Sequence, residues 1–321
     1  MGQSLDGDCQ HFTCNDVLEQ CVKTINHAYE RLGPVTGIKT GYKNLDRFIT
    51  GLKKGDLTII ASRPGVGKTS FAMNIAANVS VKSKQGVAII SLDRGSEDLM
   101  MQMISSLSSV SIQDLCIGQI EPQDWLGLSN AIGEIKSSPI TFVACAGTVS
   151  TISDHLKRLK QHNNPSMIVI DYLQLISVNK ESHDRESVLR KLKLLARELD
   201  VSVIVLSQLD RKLEHRLNKR PRLTDFRNSD GIEFADTVLF IYRDEPYNAY
   251  VDNLSTFAEI IVAKQPNDLL GSIPLAFVRE YCRFENAPKS WWTNETTVLF
   301  DDPFENMIED SFTDIVDDSF D

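Results

Sequence analysis

The chain has 321 residues, 42% of them hydrophobic and 24% charged, which is typical of a soluble globular protein with one large domain. Nine acidic residues and no basic ones lie within 301–321, and without those nine charges the net charge of −10 becomes −1, so a local nucleic-acid-binding surface is not excluded. The sequence has neither a secretory signal nor an apolar stretch of the ~20 residues that span a membrane. We therefore expect a cytoplasmic protein whose six cysteines are reduced.

The first 35 residues predict a loose leader followed by a helix. Residues 1–14 are polar and show no periodicity, which favours a disordered leader. Over 15–35, Asn15 is a candidate N-cap, Gly33 and Pro34 end the helix, and apolar residues recur at helical spacing: Val17, Leu18, Cys21, Val22, Ile25 and Leu32. The apolar face of this linker helix needs a packing partner, and its periodicity does not distinguish its own domain from a neighbouring subunit.

Between 36 and 290, short β-branched runs alternate with amphipathic helices, which predicts one α/β domain. The predicted strands are 57–61, 87–92, 140–144, 167–171, 201–206, 238–242, 259–263 and 273–277. The predicted helices are 69–80, 96–109, 122–136, 150–161 and 186–199. This alternation indicates a mostly parallel sheet with helices on both faces, and the last strands, which have no helices between them, predict an antiparallel C-terminal extension.

A phosphate-binding loop is predicted between the first strand and the helix that follows it, in the segment ASRPGVGKT at 61–69. Gly65 and Gly67 allow backbone N–H groups to turn toward the β- and γ-phosphates of ATP, and Lys68 reaches the same oxygens. The Thr69 hydroxyl is a candidate Mg²⁺ ligand. The full pattern has a glycine where this chain has Ser62. The predicted nucleotide-contacting residues are Arg63, Pro64, Gly65, Val66, Gly67, Lys68, Thr69 and Ser70.

Three polar residues at predicted strand ends complete the candidate site. Asp171 ends the apolar run 167–171 and is the candidate second Mg²⁺ ligand, opposite Thr69. Asp93 is the candidate group that orients water, and the Gln208 amide can bond the γ-phosphate or that water. Each also has a purely structural interpretation, since Asp171 and Asp93 could be caps and Gln208 a polar loop residue.

A cationic stretch follows the strand that ends near Gln208: Arg211, Lys212, His215, Arg216, Lys219, Arg220, Arg222 and Arg227. With few aromatic residues, it would contact phosphate backbones rather than stack on bases. A solvated loop explains the same composition equally well.

The acidic tail over 291–321 differs from the rest of the chain. Within 301–321, apolar residues recur at steps of three and four in an acidic background. This pattern suits a helix that docks onto a protein partner, and plain disorder fits it equally well.

Several collinear stretches resemble the C-terminal motor domain of DnaB-type replicative DNA helicases, which are RecA-like P-loop proteins that form hexameric rings. They are TGIKTGY at 36–42, GLKKGDL at 51–57, the loop at 61–69, IDYLQL at 170–175, SQLDR at 207–211, KRP at 219–221, IYRDE at 241–245 and RFEN at 283–286. The resemblance covers roughly 15–286. The resemblance does not extend to the N-terminal domain through which the family meets primase.

The resemblance implies roles for particular residues. Lys68, Thr69, Asp171 and Gln208 match the family's ATP site, with ATP and Mg²⁺ as ligands. The neighbouring subunit supplies Lys264, and the linker helix docks onto an adjacent subunit of the homo-oligomeric ring, expected to be a hexamer. The residues that match the loop touching single-stranded DNA in the central channel are Arg227, Ser229 and Gly231.

Two departures from the family pattern affect catalysis. Asp93 stands where the family has a glutamate, and Pro266 stands where it has an arginine finger two residues after the lysine. Arg243 and Arg283 are candidates to compensate for that finger, and the DNA loop is one residue shorter than in the family. Our first hypothesis is an ATP-dependent helicase that translocates on single-stranded DNA during replication. The alternative is a degenerate ATP-binding paralogue that hydrolyses poorly and acts as an assembly or regulatory subunit.

Overall fold

The computed structural model describes residues 13–30, 35–144, 147–177, 184–226, 231–243 and 255–288. Most of the predicted leader, the acidic tail, Arg227 and Ser229 lie outside the described residues. Among the described helices, none combines the length and the apolar character needed to cross a membrane.

Nine strands form a single sheet, in the order β3-β2-β4-β5-β1-β6-β7-β8-β9. The strands are β1 (Leu57–Ser62), β2 (Val87–Ser91), β3 (Ile140–Val143), β4 (Met167–Asp171), β5 (Ser202–Gln208), β6 (Thr237–Tyr242), β7 (Ser255–Lys264), β8 (Gly271–Val278) and β9 (Arg283–Asn286). The six strands from β3 to β6 in that order run parallel, and β7, β8 and β9 continue the sheet antiparallel. The predicted α/β class and the antiparallel extension are confirmed.

Eight α-helices accompany the sheet in the described part of the chain. They are α1 (Cys14–Glu30), α2 (Lys43–Ile49), α3 (Lys68–Ala77), α4 (Ser96–Ser108), α5 (Ile112–Ile117), α6 (Asp124–Lys136), α7 (Val149–His162) and α8 (Arg185–Leu199). A π-helical turn, Asn78–Lys82, continues α3, and short 3₁₀ turns lie at Leu173–Leu175, Arg211–His215, Leu223–Asp225 and Ile232–Phe234. The sequence did not predict α2, α5 or β9.

Two apolar cores lie on opposite faces of the sheet. One contains side chains of α2, α3 and α4, among them Phe71, together with Phe284 of β9. The other is built by α7 and α8, with Leu156 and Leu192 fully buried. Burial on both faces explains why the parallel strands are nearly continuous apolar runs, and it fixes the carboxyl ends of those strands along one rigid edge.

The start of α1 differs from the prediction. Thr13, and not Asn15, holds the first turn, because its hydroxyl accepts from the Asp16 backbone N–H at 3.2 Å while the Asp16 carboxylate accepts from the Thr13 N–H at 2.9 Å. This reciprocal pairing is the capping-box arrangement, with Asp16 in the acceptor role. The apolar stripe of α1 is exposed, and Ile25 retains 65% of its accessible surface.

Candidate nucleotide site

Four parallel strands end at the edge of the sheet where the candidate site lies. The P-loop follows β1, and β4 ends in Asp171 beside the last residue of β2, since Ser91 pairs with Asp171. On the other side, Ser62 of β1 pairs with Gln208 of β5. In an open parallel sheet this edge is where ligands bind, and the fold brings the predicted residues of four separate stretches to it.

The P-loop backbone adopts the left-handed conformation at both glycines, with φ of 78° at Gly65 and 106° at Gly67. A Cβ added at Gly65 would meet no atom within 4 Å, so the concave side of the loop is open. A Cβ at Gly67 would come within 3.2 Å of the Phe284 ring, so that glycine allows the loop to lie directly on β9. Because α3 begins at Lys68, the N–H groups of its first turn point toward the same open space.

Lys68, Thr69 and Asp171 form the polar centre of the site. The Thr69 hydroxyl donates to Asp171 Oδ2 at 2.8 Å, and Lys68 Nζ lies 5.8 Å from the centre of the Tyr172 ring. Burial lowers the pKa of Lys68, with Asp171 opposing that effect and Arg94 adding to it. Burial likewise raises the pKa of Asp171, against the lowering effects of the Thr69 hydrogen bond, Lys68 and Arg94.

These residues suit a magnesium-bound nucleoside triphosphate. The open glycine turn leaves room for phosphate oxygens, and Lys68 adds a cation beside them. A hydroxyl and a carboxylate oxygen in contact are hard ligands, and Mg²⁺ commonly binds one or two such protein groups while phosphates and water complete its octahedron.

Arg63 belongs to the predicted nucleotide-contacting set, but its side chain points elsewhere. The guanidinium pairs with Glu214, a residue of the 3₁₀ turn Arg211–His215. This pair ties the P-loop to the segment that follows β5. Glu214 was missed by the sequence analysis because the two residues are 151 positions apart.

Gln208 is held by a residue whose function the sequence did not indicate. The Gln174 amide donates to the Gln208 carbonyl at 3.0 Å and to the Ser207 hydroxyl at 3.0 Å, and its oxygen accepts from the Gln208 N–H at 3.2 Å. The Gln208 side chain itself is exposed and lines an open cavity of about 410 Å³ next to Tyr172. Gln174 therefore fixes the backbone from which the Gln208 amide extends.

Asp93 lies in an exposed turn between β2 and α4. The turn is closed at its base, where the Ser91 hydroxyl accepts from the Arg94 N–H at 3.1 Å and donates to the Arg94 carbonyl at 2.8 Å. Burial lowers the pKa of Lys68, and the negative charge of Asp93 is among the effects that oppose this lowering.

Lys264 lies at the other end of the sheet. It is the last residue of β7 and pairs with Val238 near the start of β6. Its ammonium donates to the carbonyls of Ile232 at 3.2 Å and Glu233 at 2.9 Å. Burial lowers its pKa, and Asp236 and Glu233 oppose that effect. Lys264 thus lies at the end of the sheet opposite to the P-loop of its own subunit.

Two arginines of the cationic stretch are engaged in ion pairs within the subunit. Arg216 pairs with Asp225 at 2.8 Å, and Arg220 pairs with the buried Glu259 at 2.7 Å. Gly231 is buried, and a Cβ there would lie 2.5 Å from the Glu186 Cα, so this glycine permits close packing on α8. These ion pairs reduce the number of basic groups that can face a nucleic acid.

The family model for the DnaB-like helicase C-terminal domain matches residues 37–286, which include every part of the site described above. The chain belongs to this family. The replicative DNA helicase DnaC of Bacillus subtilis strain 168 is 44% identical to it, and the replicative DNA helicase DnaB of Geobacillus stearothermophilus is also 44% identical; each match covers 84% of this chain and 61% of the relative. The chain thus spans about 60% of the length of these curated relatives of the DnaB-like family.

Solved structures agree with this assignment. A solved ATPase domain matches with a TM-score of 0.79 and 34% identity, over 87% of this chain and 100% of that one. A DnaB-like replicative helicase, described with its interactions with primase, matches with a TM-score of 0.76 and 34% identity, over 87% of this chain and 68% of that one. The DnaB-like motor fold therefore extends over nearly all of the described residues.

Proposed function

We propose that the chain is the motor of an ATP-dependent DNA helicase that forms a ring, expected to be a hexamer, and translocates on single-stranded DNA during replication. The observation that carries the proposal is the contact between the Thr69 hydroxyl and Asp171, beside Lys68 at the start of α3. The 44% identity to proteins named as replicative helicases supports this function over that of a degenerate paralogue.

Within one subunit, the P-loop N–H groups and Lys68 bind the triphosphate oxygens. Thr69 and Asp171 would hold Mg²⁺, which when bound neutralises charge on the β- and γ-phosphates. Asp93 orients the water that attacks the γ-phosphorus and accepts its proton as the bond to the ADP oxygen breaks. The Gln208 amide, held by Gln174, donates to the γ-phosphate or to that water.

A neighbouring subunit completes the proposed site with Lys264, which in this subunit lies at the sheet end away from the P-loop. The exposed stripe of α1 suits such an assembly, since an apolar helix face needs a partner. Exposed apolar side chains on α5 and α6 offer a matching surface: Ile117, Trp125, Leu126 and Ile132. We propose that α1 of one subunit docks on a neighbour in the ring.

The proposed DNA contacts are Arg227 and Ser229, with hydrolysis moving their loop along the strand. Gly231, predicted as a third contact, is buried against α8 and would hold the end of that loop rather than touch DNA. Because Arg216 and Arg220 are held in ion pairs, they would shape this segment rather than touch DNA. The acidic tail at 301–321 stays a prediction of a segment that docks onto a protein partner.

The test is DNA-stimulated ATP hydrolysis and unwinding of a forked duplex by the purified chain, compared with Lys68→Ala. We expect turnover in the wild type and a loss of about 10²–10³-fold in the variant, because a preorganised cation at the phosphates is removed. Lys157→Ala is the matched control, since Lys157 is exposed and pairs with Glu198 on α8 at 2.8 Å. Nucleotide binding without turnover in the wild type would favour the degenerate paralogue instead.

Assembly is tested by measuring molecular mass with and without ATP. Ile25→Asp on α1 should leave the protein monomeric, while Leu194→Ser, at an exposed position of α8, should not change assembly. A ring that persists in Ile25→Asp would contradict the proposed docking of α1.

A further inference from the structure

One cation at the candidate site belongs to no part of the proposed mechanism. Arg94 lies in the turn between β2 and α4, directly after Asp93. The two hydrogen bonds between the Ser91 hydroxyl and the Arg94 backbone, at 2.8 and 3.1 Å, fold this turn back onto the end of β2. The position of Arg94 is therefore fixed by local structure.

The turn is anchored on the strand that carries Asp171. Ser91 pairs with Asp171, and the Leu92 N–H donates to the Asp171 carbonyl at 2.7 Å. The Asp171 side chain in turn accepts from Thr69 at 2.8 Å. Arg94 thus begins only three residues beyond the strand position that is hydrogen-bonded to the candidate metal ligand.

The Arg94 side chain is exposed and, among the described residues, makes no hydrogen bond or ion pair. Burial lowers the pKa of Lys68, and the positive charge of Arg94 lowers it further. Burial raises the pKa of Asp171 and of the Cys282 thiol, at the turn between β8 and β9, and the charge of Arg94 opposes both of these shifts. These three groups belong to α3, to β4 and to the turn before β9. The two cations, Arg94 and Lys68, therefore repel each other, and an anion bound beside both would relieve that repulsion.

The other arginines near the site are already engaged. Arg243 is buried beneath the P-loop, where it donates to the Val66 carbonyl at 3.0 Å and stacks 4.1 Å from the Phe277 ring centre. Arg283 donates to the Ser106 carbonyl at 2.9 Å and to the Ser109 hydroxyl at 2.6 Å. Neither residue extends into the open side of the loop, so the expectation that one of them compensates for Pro266 has no support in the structure.

We propose that Arg94 is a further catalytic residue, which contacts the γ-phosphate from within the same subunit and takes over the role of the arginine that Pro266 replaces. The inference rests on the proposed ATPase function. An arginine supplied in cis serves this purpose in some phosphoryl-transfer enzymes, whereas others receive it from a partner. Arg94 stays protonated throughout: water forms the new bond to the γ-phosphorus, its proton goes to Asp93, and the bond to the ADP oxygen breaks. The guanidinium neutralises charge on the γ-phosphoryl oxygens in the transition state.

The test compares the binding of a fluorescent ADP with and without aluminium fluoride. Bound next to ADP, aluminium fluoride mimics the γ-phosphoryl group during transfer. In the wild type, fluoride should tighten binding. Arg94→Ala should lose about tenfold or more of that gain, which corresponds to the loss of one charge-assisted hydrogen bond. Its affinity for ADP alone should stay within about twofold of the wild type. Arg94→Lys should recover part of the gain. Arg158→Ala, at an exposed position of α7, is the control for loss of one positive charge, and it should match the wild type.

Repeating the comparison in the Ile25→Asp background assigns the contact to one subunit. If Arg94 acts in cis, its effect on the fluoride complex persists when the subunits are kept apart, and loss of the effect in monomers overturns the assignment. An Arg94→Ala variant that keeps the full gain overturns the role of Arg94 while leaving the proposed ATPase standing. A wild type that binds no adenine nucleotide overturns both proposals.

Discussion

The two ends of the parallel sheet carry the two halves of the proposed ATP site, and they differ in how firmly their residues are held. At the carboxyl end, Asp171 is 3% exposed and bonded to Thr69, and the P-loop rests on Phe284 and Arg243. At the amino end, Lys264 is half-buried and Pro266 stands exposed in the turn after β7.

The departures from the family pattern follow this difference in burial. Asp93 and Pro266 are both exposed turn residues, while Asp171 and the P-loop are buried or packed. A substitution at an exposed turn usually changes stability by no more than about 0.5 kcal/mol, whereas a change in a packed polar pair costs several times as much. Stability therefore preserves the buried positions of the site and leaves the exposed catalytic positions free to vary.

The largest expected effect is that of Asp171→Asn. The amide keeps the shape of the side chain but removes the charge that would bind Mg²⁺, so we expect DNA-stimulated hydrolysis to fall by about 10³-fold. Magnesium should also no longer tighten nucleotide binding, as measured by titration with and without a chelator. Glu198→Gln, which removes the exposed partner of Lys157 on α8, is the comparison for loss of a carboxylate.

The pH dependence gives the same prediction a second readout. Burial raises the pKa of Asp171 in the metal-free site, so its carboxylate takes up a proton at a higher pH than an exposed aspartate. Magnesium-dependent binding in the wild type should therefore weaken as the pH falls. In the absence of metal, the same proton uptake makes the folded state more stable, relative to Asp171→Asn, as the pH falls through the raised pKa. If the free energy of unfolding varied with pH in the same way in the wild type and in Asp171→Asn, the assignment of Asp171 would be contradicted.

The next effect is a gain of function from Asp93→Glu. The carboxylate is about one methylene short of the family's length, and a misplacement on the order of 1 Å can cost ~10²-fold in rate. Because the turn is exposed, the longer side chain fits without displacing a packed group. We expect the turnover number to rise by up to about 10²-fold while the KM for ATP changes little. Glu97→Asp, in the first turn of α4, controls for a change of one methylene in a nearby acid. An unchanged or lower rate in Asp93→Glu would show that Asp93 is not the group that orients water.

The sequence predicted those parts of the molecule whose causes are local or strongly periodic. The bounds of β4 were predicted in full, since four apolar residues ending in an acid are typical of a buried parallel strand. By contrast, α2, α5 and β9 have four to seven residues and too little periodicity to be recognised.

In the candidate site, the P-loop and Asp171 could be predicted from the sequence, because nucleotide binding requires these residue types at this spacing. Glu214, Gln174 and the placement of Arg94 were not, because each depends on which distant strands become neighbours. The N-cap of α1 was misplaced by two residues because Thr13 and Asn15 are both favourable caps, and only the reciprocal bond with Asp16 distinguishes them.

Asn74→Ala tests how firmly the P-loop helix is held inside the subunit. Asn74 Oδ1 accepts from the Phe284 N–H at 2.7 Å, and Nδ2 donates to the Ser106 hydroxyl at 3.1 Å, so one side chain joins α3, α4 and β9. Alanine leaves a buried N–H without its partner, and we expect the free energy of unfolding in urea to fall by about 1–3 kcal/mol. Asn163→Ala, which loses an exposed bond to Thr141, should cost less than about 0.5 kcal/mol. Equal losses in the two variants would mean that Asn74 does not anchor the helix.

The smallest expected effect comes from Pro266→Arg, which returns an arginine to the amino end of the sheet. The position is exposed, so the new side chain can reach a neighbour's nucleotide without disturbing β7. If Arg94 already supplies a cation in cis, the second arginine adds only one charge-assisted hydrogen bond, and hydrolysis by the assembled ring should rise about tenfold. The same substitution in the Arg94→Ala background should give a much larger gain, up to the ~10³–10⁵-fold typical of an arginine finger. In Ile25→Asp monomers it should give none, because no neighbour is present. Equal gains with and without Arg94 would mean that the two arginines act in different steps. The proposed division of the ATP site between the two ends of the sheet would then be wrong.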